Sequence, residues 1–181
     1  MNYHNITYPD MNNGSGLRVV LWCSACSHHC VGCQNPQTWD ANSGIPFDEK
    51  AEEELFRELS KDYISGLTLT GGDPLHENNL DDILRIVNKI RLSMPTKTIW
   101  LYTGYTWEQI VNPVITDDFN SSKYELIEKR QKIVSMCDVV VDGRYVNELR
   151  DITLKWKGSL NQRVIDVKQT LKNKEVILWI S

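Results

Sequence analysis

Four of the chain's five cysteines fall within eleven residues, Cys23 to Cys33, in the run CSACSHHCVGC. Thiols this dense suit a disulfide knot, a zinc site or an iron–sulfur cluster. An odd total of five cysteines fits a disulfide framework poorly. The first residues, MNYHNITYPDMNNGSG, lack the basic flank and apolar run of a secretory signal. No apolar run approaches the about 20 residues that span a bilayer. The expectation is a cytoplasmic protein with no membrane partner, where thiols stay reduced and a cysteine cluster binds metal or does redox chemistry. Zinc ribbons and fingers separate their cysteine pairs by about 12 or more residues. Here Cys23-x2-Cys26 and Cys30-x2-Cys33 lie only three residues apart, although His28 or His29 could replace one thiolate. Iron–sulfur clusters accept closely spaced thiolates on one loop. The subset Cys26-x3-Cys30-x2-Cys33 can hold three corners of a [4Fe–4S] cube and leave the fourth iron open, as a catalytic metal site keeps an open position. Cys23 then reads either as a fourth ligand, which suits plain electron transfer, or as a small buried residue ending a strand.

A second run that could do chemistry is Gly71-Gly72-Asp73-Pro74. Two glycines at the end of a strand let a ligand approach the backbone closely. Backbone carbonyls there, with the Asp73 carboxylate, could hold a cationic group. Thr103, Gly104 and Tyr105 close a later strand and could line the same pocket, and Asp142 and Gly143 end another.

These turns need elements to carry them. LRVVLW (17–22) reads as a buried strand running into the cysteine loop, which extends to Pro36. Asn42 to Pro46 mark a turn. A helix is expected over 48–61, with acidic residues in its first turn where the helix dipole favours them. A short strand over 65–70 precedes the Gly-Gly turn. Leu80, Ile83, Leu84, Ile86, Val87 and Ile90 recur at helical spacing, so 79–94 reads as an amphipathic helix ended by Pro95. Further strands are expected at 98–103, 138–143, 163–167 and 174–180, with a short helix from Thr106, a loop over 112–122 and a helix over 123–136. Strands alternating with helices make the class α/β with a largely parallel sheet. Such crossovers build an open doubly wound sheet or a barrel. At 181 residues the chain is shorter than the about 250 of a full eight-fold barrel, which points to a partial, open one. No linker is visible, so residues 1–181 read as a single domain. The 41% apolar fraction supports a folded core, and a net charge of −4 is a poor match for nucleic acid, so no nucleic-acid partner is expected. Cys137 and most of the six tryptophans read as core, though tryptophan also marks partner surfaces.

The order of these motifs resembles the radical S-adenosylmethionine superfamily. The runs NGSGLRVVLW, CSHHCVGCQNPQTWD, LTLTGGDPLHENN, IWLYTGY, VVVDGRYV and KGSLNQRVIDV, spread from residue 13 to 167, resemble more closely the activating proteins of anaerobic (class III) ribonucleoside-triphosphate reductases. The resemblance implies a [4Fe–4S] cluster on Cys26, Cys30 and Cys33, with S-adenosylmethionine on the open iron. It implies cofactor contacts from Gly32, Cys33, Gln34, Gly71, Gly72, Asp73, Thr103, Gly104 and Tyr105. Reductive cleavage of S-adenosylmethionine would give a 5′-deoxyadenosyl radical, which takes a hydrogen from a glycine of the large catalytic subunit of the reductase. The implied fold is the open β/α barrel of that superfamily. The implied partners are that subunit, an electron donor such as a flavodoxin, and a second copy in a homodimer. The wider superfamily usually carries Glu where this chain has Asp73, and Cys23 is extra to the three-cysteine motif. Rival readings are an activator of another glycyl radical enzyme, a four-thiolate electron carrier and a zinc-stabilised binding module. No second cysteine cluster is present to match activators with a ferredoxin-like insert.

Overall fold

The computed structural model describes residues 1–113 and 121–180, so most of the loop read at 112–122 lies outside the described residues. Its strands are β1 (Asn2–Asp10), β2 (Arg18–Cys23), β3 (Ile45–Pro46), β4 (Gly66–Gly71), β5 (Thr98–Tyr102), β6 (Val139–Asp142) and β7 (Arg163–Asp166). They form a seven-stranded sheet in the order β3-β1-β2-β4-β5-β6-β7. The parallel character belongs to the centre, where β2, β4, β5 and β6 run the same way. β1 and β3 on one flank and β7 on the other are antiparallel.

The helices are α1 (Glu49–Leu59), α2 (Leu80–Ser93), α3 (Trp107–Val111), α4 (Ser121–Ser135) and α5 (Val167–Asn173). Their starts are chemically marked. Asp48 accepts a bond from the Ala51 amide (3.0 Å) ahead of α1, and Thr106 and Gln109 form a reciprocal capping box on α3. The apolar stripe of α2 is buried at Leu80, Ile83, Ile86, Val87 and Ile90, as its spacing predicts.

Along β2, β4, β5 and β6 the chain steps one place in the same direction at each crossover. Right-handed crossovers that never reverse direction put their helices on one face. A doubly wound sheet reverses its order, and this one does not. Residues of alternate parity therefore meet different surroundings. Val19, Leu21, Cys23, Leu67, Leu69, Ile99, Leu101, Val140 and Ile165 join the core beneath the helices. Trp100, Val139 and Val141 form a second cluster on the opposite face, with Tyr102, Trp156 and Trp179 packed against it.

Arg18 lies on that second face and is wholly buried. Its partners are neutral: Thr68 Oγ1 (2.6 Å), Thr98 Oγ1 (3.0 Å) and the carbonyls of Leu67 (2.6 Å), Ser15 (3.1 Å) and Thr98 (3.1 Å). Burial pulls its pKa down to about 10. Thr68 in turn donates to the Asn13 carbonyl (2.7 Å). One side chain thus fastens three strands and the 12–16 loop.

One strand lies outside the reading of the sequence, and two of that reading's elements are corrected. The polar N-terminal stretch is a strand, β1, inserted beside β2; it buries only Tyr3 and Ile6, and two register shifts break its alternation, so no strand period shows. Ile45–Pro46, read as a turn, pairs with it as β3. Residues 174–180 are not a full strand: α5 precedes them, and they touch β7 through one bridge, Ile165 with Leu178. Among the described residues no helix is long and apolar enough to cross a membrane.

Replacing Arg18 by Met keeps the volume and strips the donors from two hydroxyls and three carbonyls. The expected loss is about 3 kcal/mol of unfolding free energy, read from urea denaturation of the metal-free protein. A loss under about 0.5 kcal/mol, the range of an ordinary surface change, would show that these bonds do not hold the sheet.

Candidate functional site

All four parallel strands end on the same edge of the sheet, the edge where α/β folds place their ligands. The cysteine loop leaves β2 there. The Gly-Gly-Asp turn leaves β4 beside it and is sewn to it by the Gly72 amide on the Cys23 carbonyl and the Asp73 amide on the Ala25 carbonyl, both 2.7 Å. Gly71 has φ of +102°, and a Cβ there would lie 2.7 Å from the Cys23 backbone, so this crossing admits only glycine. Buried Asn79 adds a third stitch through its Nδ2, to the carbonyls of Ser24 (2.8 Å) and Asp73 (2.9 Å).

The Asp73 side chain is buried and turned into this junction. Its oxygens accept from Thr103 Oγ1 (2.9 and 3.0 Å), the Gly104 amide (3.0 Å) and the Leu75 amide (2.8 Å), and Oδ2 lies 2.7 Å from His28 Nε2. The next turns are linked in the same way, with the Gly143 amide on the Tyr105 carbonyl (2.9 Å).

A cleft of about 480 Å³ opens above these strand ends. Of the residues expected at the site, Cys26, Cys30, Cys33, Gln34, Gly71, Gly72, Thr103 and Gly104 line it. Gly32, Asp73 and Tyr105 do not. Gly32 packs against Asn147, Asp73 faces inward, and Tyr105 stacks edge-on against His28 with ring centres 4.7 Å apart. The cleft also has walls that spacing did not reveal: Asn12 and Asn13 at one lip, Trp22, Tyr102 and Trp156 along the sheet, and Tyr145, Lys157 and Gln162 from the segment between β6 and β7. Alternation along β2 and β5 was the available signal for Trp22 and Tyr102, but strands apolar on both faces hide it.

The three thiols differ from the other two. Cys23 and Cys137 are fully buried, and burial pushes both to about 12. Cys23 belongs to the helix-side core, on the opposite face of the sheet from Trp22 and the cleft. It does not line the cleft that Cys26, Cys30 and Cys33 share. Burial also raises the Cys26 thiol, to about 11, against the pull of the His28 and His29 amides. Cys30 is raised by burial too, with the Tyr145 amide and Arg144 acting the other way. The Asn35 amide donates to Cys33 Sγ (3.4 Å). Backbone N–H groups aimed at sulfur stabilise thiolates, and they are one of the means by which a protein tunes an iron–sulfur cluster.

Among the described residues no three His, Cys, Asp or Glu side chains converge as ligands of one metal ion do. A tetrahedral zinc site draws its donors around a single point. A cluster takes each thiolate on a separate iron, so its ligands must stand apart around a cavity. Cys26, Cys30 and Cys33 do stand around one cleft, each beside backbone donors, and this donor set fits a cluster.

Relatives of the chain bear on the same point. Residues 12–165 match the family model of the 4Fe-4S single cluster domain. The chain is 40% identical over 166 residues to the anaerobic ribonucleoside-triphosphate reductase-activating protein of Escherichia coli K12, covering 91% of this chain and 97% of the relative. It is 41% identical over 164 residues to the protein of that name from Enterobacteria phage T4, covering 91% and 93%. The Vibrio cholerae protein is 37% identical over 164 residues, covering 90% and 96%. The chain belongs to this family of activating proteins. Its 4Fe-4S domain accounts for the cysteine loop, and the match runs through every strand that carries the cleft.

Asp73→Ala would leave three hydrogen-bond donors and the His28 ring facing an empty pocket. Thermal or urea unfolding of the metal-free variant is expected to show a loss of about 3 kcal/mol, above the mean for single substitutions. An unchanged midpoint would mean that the strand-end turns hold without the carboxylate.

Proposed function

We propose that the chain is a radical S-adenosylmethionine activase, which uses a [4Fe–4S] cluster to cleave S-adenosylmethionine reductively and leave a glycyl radical on the large catalytic subunit of an anaerobic ribonucleoside-triphosphate reductase. The observation that carries this reading is that the three thiols of CSHHCVGC share one cleft with the glycine turns of two neighbouring strands. A bound cluster supplies single electrons, the chemistry that reductive cleavage of a sulfonium requires.

Cys26, Cys30 and Cys33 would hold three irons and leave the fourth for the amino and carboxylate groups of S-adenosylmethionine. Because Cys26 and Cys30 are raised by burial, they give up protons as the metal binds. Gly71 and Gly72 bring backbone carbonyls to the cleft, which suit an ammonium group, and Gln34 and Gly104 add polar contacts. Among the described residues no carboxylate lines the cleft. Asp73 therefore serves the cofactor by holding Thr103 and Gly104 in place. Gly32 and Tyr105 support the loop from outside the cleft. Trp22, Tyr102 and Trp156 give it an apolar wall that keeps water from a reactive intermediate.

Two further parts of the reading have support of other kinds. The singly wound order, with helices on one face and the cleft at the strand ends, suits the open barrel of the radical S-adenosylmethionine superfamily, built as one domain. The relatives' name favours the reductase subunit as partner. We take the protein to be cytoplasmic, fed by a donor such as a flavodoxin, and able to form a homodimer.

The test is anaerobic reconstitution with iron and sulfide, followed by dithionite and S-adenosylmethionine. Wild-type protein should form 5′-deoxyadenosine, and the reductase subunit should then show a glycyl radical by electron paramagnetic resonance. Cys26→Ala should form neither. Cys23→Ser should keep its cluster. A brown protein that yields no 5′-deoxyadenosine even with the subunit present would replace this reading with electron transfer.

A further inference from the structure

His28 sits inside the cysteine motif, between Cys26 and Cys30, yet it faces away from solvent. Its side chain is 6% exposed and its partner Asp73 2%. Nε2 lies 2.7 Å from Asp73 Oδ2. Nδ1 receives the Nε–H of Arg144 at 3.3 Å. A guanidinium only donates, so Nδ1 must be the accepting nitrogen, and Nε2 must carry the proton that goes to Asp73. Both ring nitrogens are thereby used, in one tautomer.

The ring is also fixed by shape. Tyr105 meets it edge-on, with planes at 78°. Gly104 lies against its flank so closely that a Cβ would stand 2.3 Å from His28 Cδ2. Asp73 is itself immobilised by Thr103, Gly104 and Leu75. The imidazole therefore joins the cysteine loop to the ends of β4, β5 and β6 together. The backbone near it needs such a hold: Ala25 and His29 both take positive φ, +70° and +46°, which side-chain-bearing residues adopt only when their surroundings impose it.

We propose that His28 is the positioning residue of the metal loop, its Nε2–H bond to Asp73 setting where Cys26 and Cys30 stand before any metal arrives. The inference rests on the cluster reading of those cysteines. A histidine ligating metal usually owes its orientation to a hydrogen-bonded partner outside the metal's own shell. Here the roles are divided differently, with the histidine as the outer partner and thiols as ligands.

Three substitutions separate a hydrogen bond from mere filling of space. His28→Gln keeps an N–H donor, His28→Phe keeps an aromatic ring without it, and Gly104→Ala pushes on the ring from another strand while changing no residue of the cysteine loop. Two readouts do not depend on turnover: the rate at which an iron chelator strips the reconstituted protein, and hydrogen exchange of the 26–30 amides in metal-free protein. Loss of a partner outside the metal shell typically costs about 10–100-fold in metal affinity. His28→Phe and Gly104→Ala are therefore expected to speed iron loss about tenfold or more, and to speed exchange in the loop. His28→Gln retains the bond and should stay within about threefold of wild type. Equal rates for wild type and His28→Phe would overturn the proposal, and so would Gln and Phe variants that are equally impaired. Wild-type protein that takes up no cluster would overturn the cluster reading along with it.

Discussion

Asp73 places a carboxylate where water does not reach, and the chain answers it with donors from several turns at once. A buried carboxylate is tolerated only when its oxygens are filled. Thr103, Gly104, Leu75 and His28 fill them, and these residues come from the ends of β4 and β5 and from the cysteine loop. The requirement of one side chain thus becomes a positional constraint on three segments distant in sequence. The cleft is what remains above them once that constraint is met.

The sheet supplies the rest. Its strands step in one direction, so the helices take one face and leave the other to Arg18, Thr68, Trp100 and the walls of the cleft. Arg18 does at the start of the strands what Asp73 does at their ends. It is a buried charge that gathers neutral groups from several strands, although it has carbonyls and hydroxyls to satisfy it in place of amides. A rigid floor with a buried polar brace at either end suits a site whose parts must be held within fractions of an ångström.

Much of this was legible beforehand. The central strands and α2 declare themselves through runs and periods, and the thiol spacing points to a cluster loop. What stayed hidden has physical reasons. β1 is too polar and too irregular in register to show a strand period. Seven residues of VKQTLKN become α5 because Asp166 caps them, accepting from the Gln169 amide, and this competes with the strand preference of the neighbouring apolar residues. The type of residue at 73 suggests a cation-holding turn, but type alone does not say which way a carboxylate faces. That depends on Thr103 and the Gly104 amide, about thirty positions along the chain. The aromatic wall was obscured because β2 and β5 are buried on both faces.

The amide of Tyr145 and the guanidinium of Arg144 reach back to Cys30 and to His28, the latter across 116 positions. The three thiols of the cleft are themselves made early, within one short stretch of the chain. Their surroundings are made late. A ribosome that has released only the first half of this protein displays three reactive thiols with no fixed arrangement. Synthesis must run past β6 before the loop has its full set of contacts, because Arg144 and Tyr145 lie just beyond that strand.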